Sequence, residues 1–159
     1  MNNSDKDLTF ESDGLILNIR VLLLIEYKSG YLFELNNDGY YFAIGGRVKF
    51  GESSLESAIR ELKEELNYDG LELELIGLIE NFFITGERSV HEMNFVYGGE
   101  VTDEIDFENL KSDHQGFNFL LPEEVQSNDV RPKVLKQLIL ELSQNSKEIG
   151  EFIHLVNRD

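Results

Sequence analysis

The sequence contains no cysteine. That absence excludes disulfides, thiolate zinc centres and cysteine nucleophiles together, so any metal must be held by oxygen or by histidine. Long apolar runs are missing too. The richest, Leu15 to Ile25, is interrupted by Asn18 and Arg20 and falls short of the roughly 20 apolar residues that span a bilayer. The first residues, Met1-Asn2-Asn3-Ser4-Asp5, have neither the basic start nor the apolar stretch of a secretory signal, and a cytoplasmic protein is expected. Positive charge is scarce: 14 Lys and Arg face 31 Asp and Glu, a formal net charge of −17. Nucleic-acid affinity rests on basic residues that displace counterions from phosphates, and anionic membranes attract basic segments. Neither is an expected partner.

What is present suits one folded unit. A chain of 159 residues is about the size of a single domain, and 41% hydrophobic and 11% aromatic residues provide a core that a disordered chain lacks. Residues 1–13 read as a polar lead-in, in which Leu8-Thr9-Phe10 can start an edge strand. Leu15 to Tyr27 reads as a buried strand, Lys28-Ser29-Gly30 as a turn and Tyr31 to Leu35 as the return strand. Asn36-Asn37-Asp38-Gly39 is a further turn before a strand from Tyr40 to Ile44. Gly45-Gly46 reads as a loop.

A helix is expected from Ser54 to Leu66. Ser53 can cap it, with Glu56 three residues on completing a capping box. Leu55, Ala58, Ile59, Leu62 and Leu66 recur at helical spacing and predict the buried stripe. Asn67 stands where a left-handed residue ends a helix. Leu71 to Ile84 predicts a long strand with a bulge at Gly77, and Thr85-Gly86-Glu87-Arg88 turns it into another from Val90 to Tyr97. Asp103 to His114 reads as an acidic loop, Phe117 to Leu120 as a strand, Pro122 to Val125 as a helical turn, and Pro132 opens a helix to Leu142. The tail from Lys147 is ambiguous between strand and helix. Strands, helix, strands, helix in this order predict a mixed sheet with helices on both faces, an α/β fold.

The chemistry concentrates on Glu61, Glu64 and Glu65. At i, i+3 and i+4 on a helix of 3.6 residues per turn, their side chains project from one face. Two carboxylates about 6 Å apart at an effective dielectric of about 20 repel by roughly 3 kcal/mol when partly buried, though by only a few tenths in open water. An isolated Glu-x-x-Glu-Glu is more often a solvated acidic face. Here its neighbours favour a cation site, since clustered hard oxygens are what magnesium or manganese prefers. Gly45 and Gly46 allow close backbone approach and a carbonyl ligand, Gly51-Glu52 turns the chain into the helix, and Arg60 can clamp Glu52 and Glu64.

The run Gly46, five residues, Glu52, seven residues, Arg60-Glu61-Leu62-Lys63-Glu64-Glu65-Leu66-Asn67-Tyr68 resembles the Nudix box. Asn67 takes the position of the box glycine, Tyr68 that of an aliphatic residue, Ile44 that of a common proline and Lys49 that of a common glutamate. The resemblance implies the Nudix fold, an α/β/α sandwich. It further implies a pyrophosphohydrolase with Mg2+ or Mn2+ on Glu61, Glu64, Glu65 and the Gly46 carbonyl, supported by Arg60, Glu52, Gly45 and Gly51. The expected reaction is attack of a metal-activated water on phosphorus in a nucleoside diphosphate linked to another moiety.

The base is left open between Glu61 and an acid outside the helix, of which Glu92 is preferred, because alternation places Glu92 and Asn94 on one strand face. Arg47, Lys49 and Arg88 are candidates to hold phosphate. Tyr40, Tyr41, Phe82, Phe83 and Phe119 are candidates to stack on a base, though aromatic residues are more often core. The identity of the nucleotide is not legible. The rival function is a non-catalytic Nudix domain that binds a nucleotide and regulates a partner; such domains usually lose the metal glutamates, which are all retained here. The isomerase branch of the fold needs a cysteine. A homodimer, common in the family, is compatible with the sequence.

Overall fold

A computed structural model describes residues 5–102, 104, 110, 112–144 and 152–159. Most of the expected acidic loop after Asp103 and the start of the tail lie outside the described residues. The chain forms β1 (Thr9–Ser12), β2 (Leu15–Tyr27), β3 (Gly30–Leu35), β4 (Tyr41–Arg47), α1 (Ser54–Leu66), β5 (Glu74–Thr85), β6 (Arg88–Glu100), β7 (Phe117–Leu120), α2 (Pro122–Ser127), β8 (Val130–Arg131), α3 (Val134–Gln144) and β9 (Ile153–Arg158). The described part of the tail is a strand, Ile153–Arg158.

The strands make one mixed sheet in the order β7-β3-β4-β2-β6-β5-β9, with β1 on β2 and β8 on β4. Its centre is β2, which pairs parallel with β6 from Leu15↔Ser89 to Glu26↔Glu100 and antiparallel with β4 from Arg20↔Arg47 to Leu23↔Ile44. Side chains alternate along β2, and two cores result. Leu22 and Leu24 pack with Phe33, Ile79, Leu135, Leu138 and Ile139 under α3, while Val21, Leu23 and Ile25 pack with Ile44, Ala58, Leu62 and Leu66 under α1. The fold is the α/β/α sandwich.

Local features follow the sequence closely at α1. The Ser53 hydroxyl accepts from the Glu56 amide at 3.2 Å, and the Glu56 carboxylate accepts from the Ser53 amide at 2.7 Å. A cap of this kind is worth about 1 kcal/mol. Asn67 ends the helix at φ 48, in the left-handed region. The β5–β6 ladder shifts register between Leu75 and Gly77, where the bulge was expected.

Three expectations need correction. Leu55 and Ile59 are exposed, and Ser57 and Glu61 are buried in their place; the helix is rolled so that Arg60 and Glu61 reach β4. Gly45-Gly46 is not a loop: β4 runs through both, paired with Leu22 and Val21. A β-carbon at Gly45 would collide with the Val21 carbonyl, and one at Gly46 with the Glu61 carboxylate, so bare backbone lets the strand lie flat against both. Likewise β6 continues through Gly98-Gly99 to Glu100.

Candidate functional site

The site is assembled where the middle of α1 docks on the end of β4. Arg60 is its hub. Its Nε and Nη2 donate to the two oxygens of Glu52 at 2.7 and 3.0 Å, a fork-to-fork pair. Its Nη1 donates to Glu61 Oε1 at 2.6 Å and to Glu64 Oε2 at 3.2 Å, and Nη2 reaches the Arg47 carbonyl at 3.0 Å and the Ser57 hydroxyl at 3.1 Å. Bidentate, charge-assisted bonds of this kind fix geometry as well as adding energy. Glu52 is anchored a second way, accepting from the Lys49 amide at 2.9 Å across the turn that Gly51 makes at φ +93. The Arg60 bond holds the Glu52 carboxyl below its usual range, and Glu52 above all holds the guanidinium above its own.

The box glutamates sit in different surroundings. Glu61 is 8% exposed and lies against Gly46. The Glu64 side chain is 55% exposed. Glu65 is partly buried, and its carboxyl is pushed up from the ordinary value, first by burial and then by Glu34, Glu61, Asp113 and Glu64. Carboxylates that raise one another's pKa in this way are relieved by a cation. Glu34 is a further acid near the cluster, outside the candidates that the sequence offers. It is buried on β3, accepts a hydrogen bond from the Ser112 hydroxyl and faces the α1 side of the sheet. The signal was a lone carboxylate inside the apolar run Tyr31-Leu32-Phe33-Glu34-Leu35.

The donor set is all hard oxygen, which fits magnesium or manganese and no softer metal. Arg60 meanwhile holds oxygens of Glu61 and Glu64, and among the described residues no three acidic or histidine side chains converge on one point as ligands do. The residues that would hold a divalent ion are Glu61, Glu64 and Glu65 with the Gly46 carbonyl.

Other candidates separate from this cluster. Arg47 and Lys49 are beside it and pair with Asp7 at 3.2 Å and Asp5 at 3.0 Å. Arg88 is remote: Ser89 pairs with Leu15, whereas Gly46 pairs with Val21, a separation of roughly 20 Å at about 3.3 Å per residue. Arg88 lies 3.8 Å from Glu11.

Glu92 faces the other side of the sheet from α1. It lines a cleft of about 680 Å³ at the open edge of the α3 core, together with Arg20, Asn81, Asn94, Tyr40 and Phe83. Asn81 donates to Glu92 Oε2 at 3.1 Å, and Arg20 Nη1 stands 3.7 Å from Oε1. Among the stacking candidates, Tyr40 and Phe83 line this cleft, the Tyr40 ring under the Arg131 guanidinium at 4.2 Å. Tyr41 packs on the α3 core and Phe119 on the α1 core. Phe82 stacks on His91 at 4.1 Å between ring centres, on the opposite sheet face.

Comparison with known proteins agrees with this geometry. The NUDIX domain family matches residues 15–139. A Mycobacterium tuberculosis protein, MutT4, is 38% identical over 65 residues, which are 37% of this chain and 26% of that protein; the chain thus matches about a quarter of that relative's length. The MutT protein of Bacillus halodurans has a similar fold, with TM-score 0.66 at 18% identity over 86% of this chain and 89% of its own. The Escherichia coli dihydroneopterin triphosphate pyrophosphohydrolase gives TM-score 0.66 at 17% identity over 80% and 96%. The Caenorhabditis elegans Ap4A hydrolase gives 0.61 at 18% over 80% and 96%. No helix among the described residues is long and apolar enough to cross a membrane.

Proposed function

The chain belongs to the Nudix hydrolase family, and from that premise we propose that it hydrolyses a diphosphate linkage in a small nucleotide derivative, in a reaction dependent on magnesium or manganese. The observation that carries this reading is the seating of Glu61 against the bare backbone of Gly46, with Arg60 gripping Glu52, Glu61 and Glu64. That grip sets the carboxylates at the mouth of β4, where Glu65 is already crowded by acidic neighbours.

Glu61, Glu64, Glu65 and the Gly46 carbonyl would hold the ion. When bound, it supplies Lewis-acid polarisation of the phosphoryl oxygens, charge neutralisation and a water of lowered pKa. The chain's own groups do the rest. Arg60 keeps the carboxylates apart in fixed orientation, which limits the reorganisation needed at reaction. Glu61 or Glu64, rather than Glu92 on the other face of the sheet, accepts the proton of the attacking water as it adds to phosphorus. Arg47 and Lys49, at the same end of β4, neutralise the leaving phosphate by exchanging their bonds to Asp7 and Asp5 for phosphate oxygens. The cleft beyond Gly45 receives the rest of the substrate. Two proteins of similar fold are named for dihydroneopterin triphosphate and for Ap4A, both phosphoanhydrides, and a substrate of that broad class is proposed here.

The test is product formation from a panel of nucleoside di- and triphosphates and their conjugates, with and without magnesium, on wild type and Glu64→Gln. The reading expects magnesium-dependent turnover that falls by at least about a hundredfold in the variant. Selective nucleotide binding with no turnover of any compound would instead indicate a regulatory domain.

A further inference from the structure

The floor of the cleft presents a paired acid and base that the hydrolytic chemistry does not use. Arg20 is on β2 and Glu92 on β6; Asn18 is Glu92's direct partner and Asn94 is Arg20's, so the two charged side chains are diagonal neighbours on one face. Both are largely withdrawn from water, at 31% and 12% side-chain exposure. At 3.7 Å they stop short of a hydrogen bond, so each keeps capacity for a ligand.

Glu92 is held in place from behind. Asn157 Nδ2 donates to Asn81 Oδ1 at 2.8 Å, which turns the Asn81 amide nitrogen toward Glu92 Oε2 at 3.1 Å. Asn157 also donates to Asp159 Oδ2 at 3.0 Å, and Asp159 Oδ1 accepts from Lys133 at 2.7 Å. A relay of four side chains, Lys133, Asp159, Asn157 and Asn81, thus runs from the exposed approach to α3 through β9 to Glu92, and its Asn157–Asn81 link is buried. Two aromatic groups, Tyr40 and Phe83, line the same cleft, and Gly45 adds a stretch of bare backbone.

We propose that Arg20 and Glu92 read the edge of a 2-amino-4-oxo pyrimidine ring, the edge shared by guanine and pterins, and so set the base specificity of the site. This rests on the hydrolase reading only for what happens to the phosphates. A carboxylate accepts hydrogen bonds and offers two oxygens, matching the adjacent ring N–H and exocyclic amino group of that edge; a guanidinium donates, matching the ring carbonyl beside them. The adenine edge puts a ring-nitrogen lone pair against the carboxylate. Cytosine places two acceptors there, and uracil has one donor between acceptors. Only the 2-amino-4-oxo edge runs donor, donor, acceptor.

The experiment removes one partner from each side. Calorimetry would measure binding of GMP, IMP and AMP, which have no diphosphate to cleave, to wild type and to Glu92→Gln. IMP differs from GMP only in lacking the 2-amino group. Wild type is expected to bind GMP at least about tenfold tighter than IMP or AMP, the discrimination of one good bidentate contact. In Glu92→Gln the GMP-to-IMP ratio is expected to fall to about threefold or less, because an amide presents one acceptor where the carboxylate presents two. Equal binding of the three by wild type, a preference for AMP, no measurable GMP binding, or a ratio unchanged in the variant would each overturn the proposal. The wild-type comparison stands even if the variant fails to fold. Magnesium-dependent hydrolysis without base preference would sink this inference and leave the hydrolase reading; selective GMP binding without hydrolysis would do the reverse.

Discussion

Residue 46 has no β-carbon, and the Glu61 carboxylate occupies the place where one would be. The strand and the helix therefore share one volume, and each requires the other's residue type. A Gly46→Ala protein must push Glu61 away from β4 and break its 2.6 Å bond to Arg60. Because the obstructing atoms belong to a side chain, the fold should survive, with a loss of ~1–3 kcal/mol in stability. Catalysis should suffer more: a displacement of about 1 Å at a reacting centre can cost about a hundredfold. Chemical denaturation and kcat/KM on the same preparation check this, and an alanine variant of wild-type activity would contradict it.

Arg60 makes a second prediction. It serves Glu52, Glu61, Glu64, Ser57 and the Arg47 carbonyl at once, with 20% of its side chain exposed. Arg60→Ala leaves the mostly buried Glu52 and Glu61 carboxylates without a counter-charge and should cost about 3 kcal/mol. Arg60→Lys keeps the charge but cannot reproduce the fork on Glu52. It should fold with a smaller loss yet bind magnesium about 10–100-fold more weakly, the usual effect of losing a group that orients metal ligands. Parallel melting and metal titrations separate charge from geometry.

The pH dependence has a definite sign. Glu65 has a raised folded pKa, so between its unfolded value near 4.5 and the folded value the native state binds more protons. Stability from this group falls as pH rises through that window and stays lowered above it. Glu52 has a lowered folded pKa: its contribution is present above about 4.5 and is lost as pH falls through the folded value. Glu65→Gln should therefore stabilise the metal-free protein at pH 7 and flatten the decline above about pH 4.5, while leaving the acid limb. Saturating magnesium should abolish the difference by removing the repulsion in wild type. Denaturant midpoints across pH, with chelator and with magnesium, provide the measurement.

The helix end yields a fourth prediction. Asn67 is at φ 48, a conformation that costs most L residues roughly 1–2 kcal/mol. Asn67→Leu should lower stability by about that amount, and Asn67→Gly should change it by less than about 0.5 kcal/mol. Neither should alter metal affinity, since Asn67 lies beyond the last helical residue and outside the ligand set.

Legibility in the sequence tracked how local each determinant is. The Ser53–Glu56 box, Asn67 and the Gly77 bulge are read within a few residues, and each appears in the structure at its expected place. The roll of α1 is different. Leu55 and Ile59 fit an apolar stripe as well as Ser57 and Glu61 do not, yet the helix buries the latter pair. The bonds of Arg60 to the Arg47 carbonyl and to Glu52 decide it, and those partners are 13 and 8 residues away. Gly45-Gly46 resembled a loop because glycine weakens strands; its need for close contact with Val21 and Glu61 appears only once β4 lies beside β2.

The cleft was least legible. Arg20, Asn81, Glu92 and Asn157 are spread over most of the chain and meet through the parallel β2–β6 and β5–β9 pairings. Strand order of this kind is not set by any local pattern. In the sequence Arg20 and Asn18 are only interruptions of an apolar run, whereas alternation along the paired strand places both on the cleft side of β2. The tail, ambiguous by itself, becomes a strand because β5 offers an edge and Asn157 finds Asn81.

Magnesium titration by calorimetry tests the central claim most directly, on wild type and on Glu61→Gln and Glu64→Gln, each verified as folded. Saturable binding to wild type, weakened at least about tenfold in both variants, is the predicted result. Binding that is equal in all three proteins, or absent from wild type even with nucleotide present, would contradict it.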